Sequence, residues 1–172
     1  MDLRFPFMRF AFMVRDRLRP REKILEEVGL RPGFHVLDFG CGPGSYVEPA
    51  ARRVGESGRV YALDRNPSAV RLVERRAARR GLPQVHTIHS DGPTGLPDGS
   101  VDVVLLYDIL HHLTDPRSIL DEIHRVLKPE GALSVSDHHL AGADIVARIT
   151  EESRFVLAQI SKATIRFVKK EG

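Results

Sequence analysis

The stretch Val36-Leu37-Asp38-Phe39-Gly40-Cys41-Gly42-Pro43-Gly44 constrains this chain more than any other. Its first residues continue the short apolar run from His35 that reads as a buried strand. Three alternating glycines follow, and a helical pattern begins at Ser45. Glycine lets a backbone turn sharply and lets a ligand come close to the main chain. A strand, glycine loop and helix in that order are one half of a βαβ unit.

The rest of the chain repeats that alternation. Helix is predicted from residue 8 to residue 30 with a break at Pro20 and a stop at Gly29. Further helices are expected at Ser45 to Val54, Pro67 to Arg80, Pro116 to Leu127 and Asp144 to Glu152. Strands are expected at Arg59 to Leu63, Val85 to His89, Val101 to Leu106 and Ala132 to Ser136. Lys128 to Gly131 reads as a tight turn before that last strand. Phe155 to Ile160 and Thr164 to Val168 read as two closing strands. Strands alternating with helices of this length predict an α/β fold with a mostly parallel sheet. In such sheets ligands sit beyond the carboxyl ends of the strands, where strand order reverses. The residues just past each strand are therefore the ones to inspect.

Composition narrows the class. The 172 residues suit one core at about 150 residues per domain. Cys41 is the single cysteine, which excludes an internal disulfide framework and a Cys-rich metal site. No apolar run is long enough to span a membrane. The net charge is only +3. The basic helix from Arg71 to Arg80 has no aromatic residue beside it, so no nucleic-acid partner is expected. The amino-terminal end is different in character. Residues 1 to 19 combine Phe5, Phe7, Phe10 and Phe12 with five arginines. No cleavage pattern follows them, so no export signal is read, and a cytoplasmic location is expected.

Two more acidic positions follow strands. Asp64 closes the second strand, where a carboxylate can accept both hydroxyls of a ribose. Ser90-Asp91-Gly92 follows the third, placed to receive an adenine amino group. The nicotinamide fingerprint requires its third glycine at position 45, which is Ser45 here, so a dehydrogenase is disfavoured.

With these residues in view, the chain resembles the class I S-adenosylmethionine-dependent methyltransferases. It is most similar to the small-molecule group that includes the ubiquinone/menaquinone C-methyltransferases. The matching segments are VLDFGCGPG at 36–44, VYALD at 60–64, SDGPTGLPDGSVDVV at 90–104, LHHL at 110–113 and RVLKPEG at 125–131. They cover roughly residues 24 to 137. Glu130 departs from the family's usual glycine, with an effect expected on turn geometry alone. The resemblance implies a Rossmann-like seven-stranded sheet in order 3-2-1-4-5-7-6, with strand 7 antiparallel and helices on both faces. It implies S-adenosylmethionine as cofactor, leaving S-adenosylhomocysteine as product. The implied cofactor residues are Asp38 near the methionine portion, Gly40, Cys41, Gly42 and Gly44 in the loop, Asp64 at the ribose with Arg65 next to it in sequence, Asp91 and Gly92 at the adenine, and Tyr107 at the junction with the acceptor.

His111 and His138 are the candidate bases for an acceptor that must lose a proton. Asp108, Asp137, His138 and His139 are residue types that suit a divalent transition metal, but the reading assigns no metal. Cys41 beside glycines reads as a packed residue rather than a nucleophile. The expected function is methyl transfer to a small-molecule acceptor, lipophilic if the amino-terminal segment meets a membrane. The alternative is a non-catalytic S-adenosylmethionine-binding or partner-activating protein. Residues 1–23 are expected to form a helical lid or interfacial segment, and 24–172 the cofactor-binding domain. Peripheral membrane contact through residues 1–19 and a homodimer are the remaining partner expectations.

Overall fold

The computed structural model describes residues 21–151 and 154–170. The amino-terminal segment of residues 1–19, with its lid and membrane readings, lies outside them. Seven strands form one sheet: β1 (His35–Phe39), β2 (Arg59–Asp64), β3 (Val85–His89), β4 (Val101–Tyr107), β5 (Leu127–Ser136), β6 (Phe155–Ile160) and β7 (Ile165–Lys169). Their order is β3-β2-β1-β4-β5-β7-β6. The first five run parallel, and β7 is antiparallel to both β5 and β6. The expected topology is thus found. The chain runs outward from β1 to β3, then returns to place β4 on the other side of β1, so the switch point lies between β1 and β4.

The helices are α1 (Arg21–Val28), α2 (Val47–Val54), α3 (Pro67–Arg80), α4 (Pro116–Val126) and α5 (Gly142–Thr150). Successive strand residues point to opposite faces, and the core divides accordingly. Val36, Val103, Leu105 and Tyr107 pack with Leu25 of α1 and with Val47, Ala50 and Val54 of α2. Leu37, Phe39, Val104 and Leu106 pack with Ile119 and Ile123 of α4 and with Ile145 and Ile149 of α5. The buried Val, Leu, Ile and Phe side chains among them contribute about 1.5–3 kcal/mol each.

Local signals explain the helix ends. Asn66 caps α3 by accepting from the Ser68 amide, Pro67 occupies the first turn, and Gly81 closes the helix at φ +63°. Asp115 caps α4 through the Ser118 amide. One expectation is corrected. Lys128 to Gly131 is not a separate turn but part of β5, where pairing with β4 shifts between Val101↔Leu127 and Val103↔Ala132. The extra residues bulge from an otherwise continuous strand, and Glu130 is exposed on that bulge. The flanking motifs have a structural role. Asp102 accepts from the His35 amide of β1 at 2.8 Å and from Lys128 Nζ of β5 at 2.7 Å, tying three strands at their amino ends.

Candidate active site

The glycine loop crosses the carboxyl end of β1. The Gly40 and Cys41 amides both donate to the Leu63 carbonyl of β2, at 2.8 and 2.9 Å. Arg76 of α3 donates to the Pro43 carbonyl at 2.7 Å. The glycines serve different ends. A Cβ at Gly40 would run into the Ile109 side chain, and one at Gly44 would lie 2.8 Å from Val73 Cγ2 of α3, so both are needed for packing. At Gly42, with φ +51°, a Cβ would meet nothing within 4 Å among the described residues. That position faces open space, as a main chain approached by a ligand must.

Asp38, two residues before this loop, is buried, and its Oδ2 has no hydrogen-bond partner among the described residues. Burial, and secondarily the nearby charge of Asp64, push its carboxyl up to about 7. A buried carboxylate oxygen without a partner is costly and calls for a donor. Asp64 closes β2. Its Oδ2 accepts from the Gly42 amide and its Oδ1 from the Asn66 amide, both at 2.8 Å. It therefore fixes the loop and the start of α3 as well as presenting a charge there. Arg65 is exposed, and its carbonyl is 3.1 Å from His89 Nε2.

Gly92 is buried and Asp91 exposed at the end of β3. The loop beyond them is clipped to α4. The Thr94 amide and hydroxyl donate to Glu122 Oε1 at 2.8 and 2.7 Å, and Arg125 holds both oxygens of the same carboxylate. The Arg125 bonds, together with those from Thr94, outweigh burial and hold the Glu122 carboxyl down at about 2.

Cys41 is buried, its Sγ 3.8 Å from the Gly42 carbonyl. Burial first, then the charges of Asp38 and Asp64, push its thiol far above the ordinary range, which opposes a nucleophilic role. Tyr107 ends β4 with its hydroxyl 2.8 Å from Ser134 Oγ and its ring edge-on to Tyr46 at 4.7 Å. Arg21 of α1 donates to the Tyr46 hydroxyl at 2.7 Å. Sequence reasoning missed this buried group. The only signal was Tyr46 itself, a large polar side chain directly after the glycine loop.

The two candidate bases each have a carboxylate. His111 Nδ1 lies 2.8 Å from Asp137 Oδ2, and His138 Nδ1 lies 2.7 Å from Asp108 Oδ1. Asp137 is buried, which opposes its charge. Hydrogen bonds from the His111 ring and from the His139 and His111 amides nevertheless hold its carboxyl below the usual range. An ionised carboxylate can only accept, so His111 donates from Nδ1, and in the neutral ring that leaves the lone pair at Nε2.

Comparison with known proteins settles the family. A family profile described as "Methyltransferase domain" matches residues 30–171. The chain belongs to the class I S-adenosylmethionine-dependent methyltransferase family. It is 35% identical to a ubiquinone/menaquinone biosynthesis C-methyltransferase from Hydrogenovibrio crunogenus over 126 residues, 72% of this chain and 50% of that one. Among solved structures, a SAM-dependent methyltransferase from Aquifex aeolicus superposes with a TM-score of 0.82 at 28% identity, covering 90% of this chain and 92% of that one. The [4+2]-cyclase SpnF superposes at 0.62 with 29% identity, covering 71% and 44%. The chain spans 33–53% of the length of the first curated relatives it matches. No helix among the described residues is long and apolar enough to cross a membrane.

Proposed function

We propose that this chain transfers the methyl group of S-adenosylmethionine to a small-molecule acceptor. The observation that carries the reading is the pairing of a buried, unpartnered Asp38 oxygen with the open Gly42 backbone above it. The donor set suits the cofactor. Asp38 would take the ammonium of its methionine portion. Asp64 would accept from its ribose, and Asp91 with Gly92 would face its adenine. Gly40, Cys41 and Gly44 would shape the loop around it, with Arg65 flanking the ribose and Tyr107 backing the acceptor side.

When bound, the cofactor supplies a sulfonium-activated methyl group. The chain's part is to hold the acceptor in line and keep water out, and such positioning can contribute about 7–11 kcal/mol. His111 Nε2 would accept the proton of an acceptor with an acidic hydroxyl or carbon as that acceptor takes up the methyl group, with S-adenosylhomocysteine as the leaving group. Asp137 orients the ring and stabilises the imidazolium. Quinone precursors are the first acceptors to try, because a curated relative is named for that chemistry. We propose further that residues 1–19 cover the acceptor, with lipid contact as the other use of their phenylalanines. The lone buried thiol suits a cytoplasmic location.

Incubating the purified chain with radiolabelled S-adenosylmethionine and a panel of phenols, quinols and amines tests this. Labelled product with multiple turnovers is expected. Tight cofactor binding without transfer to any acceptor would favour the second reading, a cofactor-binding or partner-activating protein.

A further inference from the structure

The carboxyl ends of β4 and β5 carry a cluster that the cofactor residues do not use. Asp108 directly follows β4, and Asp137 and His138 directly follow β5. One ligand atom from each of these three lies within 4.8 Å of the others. Three more imidazoles surround them. The His138 and His139 rings are 3.9 Å apart, those of His111 and His139 4.2 Å, and those of His111 and His112 3.9 Å. Two carboxylates converge at one point, the Asp137 side chain is fully buried, and the His138 side chain is 55% exposed. The cluster is thus closed behind and open in front, as a site with an entry path must be.

Ligand chemistry decides what such a site takes. Two carboxylates alone favour hard cations such as Mg²⁺. An imidazole shifts the preference toward Zn²⁺, Co²⁺ or Ni²⁺. Three protein ligands leave coordination positions free, the pattern of a site that also binds substrate rather than a purely structural one. His111, bonded to Asp137, would stand behind the ion as the partner that orients a ligating carboxylate.

We propose that Asp108, Asp137 and His138 bind one divalent transition-metal ion, which in turn holds an oxygen-bearing acceptor beside His111. The two candidate bases then divide the work: His138 ligates the ion and His111 takes the proton. The acceptor half rests on the methyl-transfer reading, and the metal half does not.

The untagged chain is stripped with EDTA, dialysed against zinc chloride and desalted, and bound zinc is measured by atomic absorption and titration calorimetry. One Zn²⁺ per chain is expected. His138→Ala should weaken binding by about tenfold or more. Asp108→Asn should do the same, because asparagine tolerates the φ of +55° at this position. His86→Ala, on exposed strand β3, is the control and should bind as the parent does. Thermal unfolding confirms that each variant is folded. Absence of stoichiometric zinc, or binding equally affected by His86→Ala, overturns the site. So does binding unchanged in both His138→Ala and Asp108→Asn. S-adenosylmethionine affinity is measured on the same samples. Its retention in His138→Ala separates failure of the metal site from failure of the cofactor reading.

Discussion

The burial of Asp38 and the role proposed for it at the cofactor conflict, and pH separates them. Its folded pKa of about 7 lies above its ordinary 3.8, so between those values the folded chain holds a proton that the unfolded chain has released. Stability from this group is greatest below about pH 4 and declines as pH rises toward 7. The loss is at most on the order of 4–5 kcal/mol. Asp38→Asn should flatten that part of a denaturation-versus-pH series. Cofactor affinity should move the opposite way, because the ammonium of S-adenosylmethionine prefers the ionised carboxylate. Binding is expected to strengthen as pH rises through 7 in the parent and to be weak and flat in Asp38→Asn. Parallel pH slopes in the two proteins would remove Asp38 from the cofactor site. Gly42 provides a second residue-level test. At φ +51° any side chain is strained, by about 1–2 kcal/mol, so a bulky substitution would confuse strain with obstruction. Gly42→Ala is the cleaner choice. Its Cβ meets no atom of the described residues within 4 Å, so the fold should survive with a small loss of stability while cofactor affinity falls at least about tenfold. Normal calorimetric affinity in the folded variant would mean that the ligand lies elsewhere.

At the level of elements, the loop after β3 depends on α4. Glu122 receives Thr94 and Arg125 together, and its depressed carboxyl pKa makes the clip pH-sensitive. With a folded pKa near 2 and an ordinary value of 4.5, its contribution is present above about pH 4.5 and lost as pH falls toward 2. Glu122→Gln should cost roughly 1–2 kcal/mol at neutral pH, discounted for its partly exposed arginine partner. It should also raise the Kd for S-adenosylmethionine, with Asp91 and Gly92 held less firmly. Urea denaturation at pH 7 and pH 3 measures the first effect, with the variant and parent converging at the lower pH. The elements themselves were largely legible in the sequence. Pro67 and Gly81 bounded α3, and the apolar runs at 36–39 and 101–106 marked the central strands. The bulge in β5 was not legible, since Lys-Pro-Glu-Gly reads as a turn whether or not the strand continues through it. The carboxylate–histidine pairs were also hidden. Asp108 meets His138, 30 positions away, only because the parallel register sets Tyr107 against Ser136 and so aligns the residues just past both strands. Residue types alone do not report that register.

For the molecule as a whole, methyl transfer requires that water be excluded from the cofactor mouth. Arg21 begins α1, and it is bound to Tyr46, the residue that opens α2 at the end of the glycine loop. Arg53 of α2 also donates to the Glu22 carbonyl at 2.6 Å. The first described residue, Arg21, therefore lies beside the glycine loop. Nineteen residues can extend about 60 Å at most, so reach does not limit coverage of the acceptor side. Their four phenylalanines supply the apolar surface that a water-excluding cover needs. Deleting residues 1–19 leaves Pro20 and the Arg21–Tyr46 bond in place, so S-adenosylmethionine affinity should stay close to that of the parent. Transfer should fall to background, since donor and acceptor would be exposed to solvent and poorly aligned. Calorimetry with the cofactor and turnover with the best acceptor from the panel measure the two quantities separately. Full turnover in the truncated chain refutes the cover. Sedimentation with anionic liposomes completes the comparison. If the parent binds vesicles, the truncated chain does not, and turnover in detergent is equal for both, these residues anchor the protein to lipid rather than close its site.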